Sequence, residues 1–235
     1  MSKRKAMYIT HHSLIKVEPI GPAQEKLVEA YDNGQNIFGY GVAGSGKTFV
    51  LLYKAFKEVL DKRSPFERVV LIRSLLPSRD VGFLPGTIEE KSDLYQDPYR
   101  ILVRYMFEMA SDADFAQLYD KLVAQGSLDF ISTSFLRGQT FDRSIIICDE
   151  FQNMEFHELD TLITRVGQDS KIMFAGDTAQ SDLRNGKKDG HWRFQQIVET
   201  MSEFTSVEFD FGDIVRSGLV RNYLIAKTNY SAENP

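Results

Sequence analysis

The stretch "GVAGSGKT", residues 41–48, constrains this chain more than any other part of it. An apolar run, "NIFGYG", leads into it, and "KTFVLLYKAFKEVLDK", apolar at helical spacing, leads out. It fits G-x-x-x-x-G-K-T at a strand-to-helix junction. Glycines at 41, 44 and 46 let the backbone curl so that successive N–H groups point inward at phosphate oxygens. The following helix adds its positive N-terminal end. Lys47 offers a compact cation to the β- and γ-phosphates, and the Thr48 hydroxyl can ligate Mg²⁺. A glycine turn at any βα junction is the plain alternative, but it gives no reason for Lys–Thr in register.

A second apolar run, "SIIICDEFQN" at 144–153, ends in two adjacent carboxylates about a hundred residues later. In the same chain as a phosphate loop, Asp149 would hold Mg²⁺ through its water shell. Glu150 would face the γ-phosphate and polarise the attacking water. A third run, "KIMFAGDTAQSDL" at 171–183, closes in Gly176–Asp177 with Gln180 three residues on. An amide there can bond both the attacking water and the γ-phosphate. The base is expected to be adenine. "GKKD" at 186–189 misses the guanine-reading pattern because Gly186 stands where Asn belongs, and Gln24, upstream of the loop, has the paired donor and acceptor an adenine edge requires.

Bulk properties set the class. A chain of 235 residues, 43% hydrophobic and 26% charged, suits one globular α/β domain or two very small ones. No stretch approaches the roughly 20 apolar residues a membrane span requires. One cysteine excludes an intrachain disulfide and a four-cysteine zinc site, and makes a reducing, cytoplasmic setting the default. A net charge of −5 argues against a surface that coats nucleic acid throughout. Lys3, Arg4 and Lys5 read as a solvated terminus, and Arg184, Lys187 and Lys188 as solvated charges that could instead line a pore.

Residues 1–20 are weakly patterned and read as an arm; 21–235 read as one domain. Helices are expected at 22–33, 47–62, 98–125 (Asp97 as N-cap, Pro98 at the first position), 155–165, 190–203 and 214–227. Strands are expected at 36–41, 67–74, 128–132, 144–148, 171–175 and 205–210. The alternation gives a mostly parallel sheet with right-handed crossovers. The stretch from 75 to about 98 is long for a loop and rich in proline, which marks a functional segment.

These motifs together resemble the phosphate-starvation-inducible PhoH-like ATPases of bacteria and their phages, related to the nucleotide-binding half of superfamily 1 helicases. "VGFLPGTIEEK", "FLRGQTFDRSIIICDEFQN", "LITRVG", "FAGDTAQSDL" and "DIVRSGLV" carry the resemblance beyond the generic phosphate loop. One departure is "TSF" at 133–135, where the family has proline and tyrosine before "RG". The resemblance implies an α/β fold of the P-loop NTPase type, a single RecA-like core with a mostly parallel sheet flanked by helices. It implies that Gly41, Val42, Ala43, Gly44, Ser45, Gly46, Lys47 and Thr48 bind the triphosphate of ATP and that Gln24 reads adenine. Thr48 and Asp149 serve Mg²⁺, Glu150 activates water and Gln180 senses phosphate. Arg137, Arg165 and Arg216 stand in family motifs as arginine-finger candidates, Arg216 first.

A superfamily 1 helicase closes two such cores over ATP, and this chain has room for one. A finger is worth roughly 10³ to 10⁵ in rate, so a neighbouring subunit is expected to supply it, in a homo-oligomer of which a hexameric ring is the favoured form. RNA or single-stranded DNA remodelling, with an RNase partner, is the resemblance's implication for what hydrolysis drives. Two rivals stand beside it. A thymidine-kinase-type enzyme shares the loop and a "DE-x-Q" strand end, but such kinases hold their lid with cysteine-bound zinc and only Cys148 is present. An ATP-switched scaffold would not require Glu150 and Gln180.

Overall fold

The computed structural model describes residues 9–74, 88–178 and 189–233. Gln180, Arg184, Lys187, Lys188, the Lys3–Arg4–Lys5 run and residues 75–87 of the proline-rich stretch lie outside them. In chain order the elements are α1 (Pro22–Asp32), β1 (Asn36–Gly41), α2 (Lys47–Val59), β2 (Arg68–Arg73), α3 (Ile88–Met106), α4 (Asp112–Ala124), β3 (Leu128–Ser132), β4 (Ser144–Asp149), α5 (Phe156–Ile163), β5 (Lys171–Gly176), α6 (Asp189–Val198), β6 (Phe204–Phe209) and α7 (Gly218–Glu233).

The strands form a six-stranded sheet in the order β3-β2-β4-β5-β1-β6, every pairing parallel. Helices on both faces explain why the strands are apolar runs rather than alternating ones. In β4, Ile145 and Ile147 join the core beneath α1 to α4, while Ile146 and Cys148 join Leu159 and Leu162 of α5 and Phe194 and Val198 of α6 on the other face. The whole strand is buried. Because all strands run the same way, their carboxyl ends gather at one edge. Register sets Tyr40 beside Gly176, Gly41 beside Phe209, Ile72 beside Cys148 and Asp149 beside Ala175. One strand, β5, separates the loop-bearing β1 from the acid-bearing β4, as in RecA-like P-loop cores.

Four expectations are corrected. The stretch from 75 to about 98 is not loop throughout, since α3 begins at Ile88. The helix placed at 98–125 is two helices, and Pro98 lies inside the first instead of opening it. Within a helix a proline loses its own N–H bond and crowds the carbonyl four residues back, at a cost of roughly 3 kcal/mol; α3 continues through Pro98 because Tyr99, Val103 and Met106, spaced on one face, are buried. Glu108, at φ 53, turns the chain out, and Ser111 caps α4 by accepting from the Asp114 N–H. The helix placed at 190–203 stops at Val198, where a turn bonds Met201 N–H to the Val198 carbonyl. The last helix starts at Gly218, not 214. Asp210 caps a tight turn at Phe211–Asp213, and Val215 N–H donates to the Gly44 carbonyl at 3.1 Å, which holds the chain extended there.

The arm is tied down over residues 9–20. Ile9, Leu14 and Val17 pack on the core, and Ile15 N–H donates to the Met106 carbonyl at 2.8 Å. Among the described residues no helix is long and apolar enough to cross a membrane.

Candidate functional site

The phosphate loop leaves β1 through Gly41, whose φ of 115 and proximity to β6 admit no side chain: a Cβ there would lie 2.1 Å from the Phe209 carbonyl oxygen. Gly44, at φ 80, carries the loop over its crest, with the Arg216 side chain 3.0 Å from where its Cβ would stand. Val42 N–H donates to the Phe209 carbonyl at 3.0 Å, so β6, the edge strand beside β1, braces the loop.

The Lys47 ammonium lies inside the loop, donating to the carbonyls of Gly41 (2.9 Å) and Val42 (2.8 Å) and to Ser45 Oγ (3.1 Å). Burial pushes its pKa down to about 8, against the pull of Asp177, Asp149, Glu150 and Asp213. Ala43 N–H donates to Asp177 Oδ2 at 3.0 Å. An amide of the loop thus already binds an anionic oxygen, the chemistry a phosphate would present.

Across the cleft, the Thr48 hydroxyl donates to Asp149 Oδ1 at 2.7 Å. Glu150 follows at φ 55, ψ 40, a left-handed conformation that costs a non-glycine residue roughly 1–3 kcal/mol and tends to occur at functional sites. Burial, and then the neighbouring Asp149, raise its carboxyl above the usual range. The Gln152 amide donates to Glu150 Oε2, and its oxygen accepts from the Asp177 N–H at 3.0 Å. Gln152 therefore bridges the ends of β4 and β5.

A cleft of about 670 Å³ joins these groups. Its walls bring together the loop from Ala43 to Thr48, Asp149, Glu150, Asp177 and Arg216. Arg216 thus lies across its own chain's loop and is exposed there. Arg137 is exposed and Arg165 half-buried, and neither lines the cleft. Gln24 is buried behind the loop, where it accepts from the Ile20 N–H at 2.9 Å and donates to the Ser45 carbonyl at 2.8 Å. Its amide is engaged by the chain at both ends.

Two cleft residues escaped the sequence reading. Arg73, at the tip of β2, sits over the Tyr95 ring at 5.9 Å. Burial works to lower its pKa, but Tyr99, Asp149 and Glu150 raise it on balance, so it is a firm cation. Tyr99 of α3 is buried and donates to Asp149 Oδ2 at 2.8 Å. Burial, then Asp149, push its hydroxyl pKa well up, so it stays a proton donor. The one available signal was position for Arg73, a cation at a parallel strand's carboxyl end.

Among the described residues no group of three or more His, Cys, Asp or Glu side chains could hold a metal ion. Mg²⁺ usually keeps several waters and binds through one or two carboxylates plus substrate phosphates. The Thr48–Asp149 pair beside an anion-binding loop fits that manner of holding it.

Strand order, loop and acids define a P-loop NTPase with a single RecA-like core. Residues 16–227 match the model of the PhoH-like protein family, and the chain belongs to that family. It is 31% identical over 215 residues to a PhoH-like protein of Mycobacterium leprae (91% of this chain, 59% of that one). It is 30% identical over 213 residues to one of Bacillus subtilis (90% and 63%) and 32% identical over 206 residues to Protein PhoH of Escherichia coli K12 (87% and 56%). The chain thus spans 56–63% of the length of these curated relatives. Among solved structures it is similar to Pif1 helicase from Candida albicans, at 14% identity and a TM-score of 0.38 over 83% of this chain and 41% of that one.

Proposed function

We propose that the protein binds Mg²⁺–ATP in this cleft and hydrolyses it. The observation that carries the reading is the convergence of Lys47, the Thr48–Asp149 pair and a strained Glu150 on one cleft. Lys47 and the loop amides hold the triphosphate, exchanging their bonds to carbonyls and to Asp177 for phosphate oxygens. Thr48 and Asp149 would hold the cation, which when bound neutralises charge on the β- and γ-phosphates. Glu150, a carboxyl of raised pKa restrained by Gln152, accepts the proton of the attacking water. Gln180 as phosphate sensor and Gln24 as adenine reader remain part of the proposal; for Gln24 this requires giving up a bond to Ile20 or Ser45.

Arg73 and Arg216 give the cleft two arginines of its own chain, so Arg216 serves as a finger in cis in this reading. We keep a homo-oligomer, a hexameric ring by preference, as the assembly in which Arg137 or Arg165 of a neighbour could still contribute. Coupling to RNA or single-stranded nucleic acid, an RNase partner and a cytoplasmic location complete the proposal. A thymidine-kinase-type lid finds no support, since Cys148 is fully buried in β4 against Met154. The test is ATP turnover with and without single-stranded RNA, single-stranded DNA and duplexes, run beside Glu150→Gln. Wild-type turnover no faster than that of Glu150→Gln would sink the hydrolysis reading; no stimulation by any nucleic acid would redirect the coupling to a protein target.

A further inference from the structure

Asp149 is held by two hydroxyls from two helices. Thr48, at the start of α2, takes Oδ1 at 2.7 Å, and Tyr99, on α3, takes Oδ2 at 2.8 Å. Both Asp149 and Tyr99 are buried. The Tyr99 ring is seated against Phe130 of β3, centroids 5.9 Å apart, so the hydroxyl has little freedom to leave the carboxylate. One donor on each oxygen fixes the carboxylate plane. Both donors are neutral, so neither cancels the negative charge of Asp149, whose cationic neighbours are Arg73 and Lys47. Tyr99 also lines the cleft itself, within the wall α3 contributes.

From this geometry we infer that Tyr99 is a positioning residue: it sets Asp149 for the divalent cation that accompanies the nucleotide. The inference rests on the Mg²⁺–ATP reading above. It also gives α3 a function beyond packing, because any movement of that helix is transmitted through one hydrogen bond to the cation-holding acid. A buried hydroxyl that only anchors α3 to the sheet is the competing explanation, and it predicts lost stability without any change in cation dependence.

The test uses the full chain and a fluorescent ATP analogue, titrated across a Mg²⁺ series and in EDTA, with a thermal melt of each protein. Tyr99→Phe keeps the ring and removes the hydroxyl. Hydrogen-bond partners of metal-holding groups typically change metal affinity by 10- to 100-fold, so the Mg²⁺ midpoint is expected to rise roughly tenfold. Affinity in EDTA stays as in wild type, and excess Mg²⁺ restores binding. Met106→Ala, a buried position of α3 outside the cleft, lowers the melting temperature and leaves the midpoint in place. An unmoved midpoint in Tyr99→Phe, or an equal shift in Met106→Ala, overturns the assignment while leaving Mg²⁺–ATP binding intact. A wild-type protein whose nucleotide binding ignores Mg²⁺ overturns the underlying reading as well.

Discussion

Lys47 is expected to make nucleotide binding pH-dependent. Within the loop it is nearly buried, and burial pushes its pKa down to about 8, with Asp177, Asp149 and Glu150 only partly restoring the charge. A triphosphate would add several negative charges within reach of the ammonium and raise that pKa again. Below pH 8 the lysine is charged with or without ligand, and affinity is flat as far as this group is concerned. Above it, binding has to draw a proton from solvent. At pH 9 roughly ten of every eleven empty loops would be neutral, so affinity should fall about tenfold from its value at pH 7, or ~1.4 kcal/mol. Stability moves the opposite way. Between about 8 and the ordinary lysine value of 10.5 the unfolded chain holds a proton that the folded chain has lost, so this group's contribution to stability rises with pH. The assay is a fluorescent-nucleotide titration with saturating Mg²⁺ from pH 6.5 to 9.5, with Lys47→Arg as control, because arginine stays charged throughout. A flat wild-type profile, or one that bends equally in Lys47→Arg, refutes the reasoning.

Gly41→Ala should cost about 3 kcal/mol, since φ 115 is strained for alanine and its Cβ would meet the Phe209 carbonyl at 2.1 Å; calorimetry should show a melting temperature lower by roughly 10 °C. Glu150→Gln should slow steady-state ATP turnover by about 10²- to 10⁴-fold while nucleotide affinity holds. Because burial and Asp149 raise the Glu150 carboxyl, ionising it opposes folding, and the variant should melt no lower than wild type at pH 7; a clear loss of stability would count against the environment described for it. Gln152→Leu removes the bonds to Glu150 and to the Asp177 amide. It should lower turnover about tenfold or more, by misplacing a catalytic group, with binding in an equilibrium titration little changed.

The repeating strand-and-helix order and the gathering of the loop, Asp149 and Glu150 in one cleft were legible in the sequence because both rest on local signals. Continuous apolar strands mark a sheet covered on both faces, and a Gly-rich turn before Lys–Thr marks a phosphate loop. What was illegible depended on contacts distant in sequence. No local pattern announces that Tyr99 meets Asp149 fifty residues away, and only its place at the end of β2 hints that Arg73 lines the cleft. Pro98 misled for a related reason: proline favours the first turn of a helix, but the buried face of Tyr99, Val103 and Met106 outweighs the lost bond and the crowding it causes. Arg216 was found by motif, yet its placement over Gly44 follows from the Val215–Gly44 hydrogen bond, which only the folded chain provides.

The phosphate loop is gripped from both ends of the chain, and its grips differ in kind. Val42 N–H on Phe209, Val215 N–H on the Gly44 carbonyl and the Gln24 amide on the Ser45 carbonyl hold the loop's outer side. Those bonds need not change when phosphate arrives. Ala43 N–H on Asp177 and Lys47 on the carbonyls of Gly41 and Val42 occupy the groups a phosphate would take. Filling the loop therefore releases the Asp177 carboxylate. The amide of that residue is bonded to Gln152, and Gln152 is bonded to Glu150. Ala43 of the loop and Glu150, the acid proposed to activate water, are joined by three consecutive contacts, and the strained backbone at Glu150 is the element of that path with conformational energy to release.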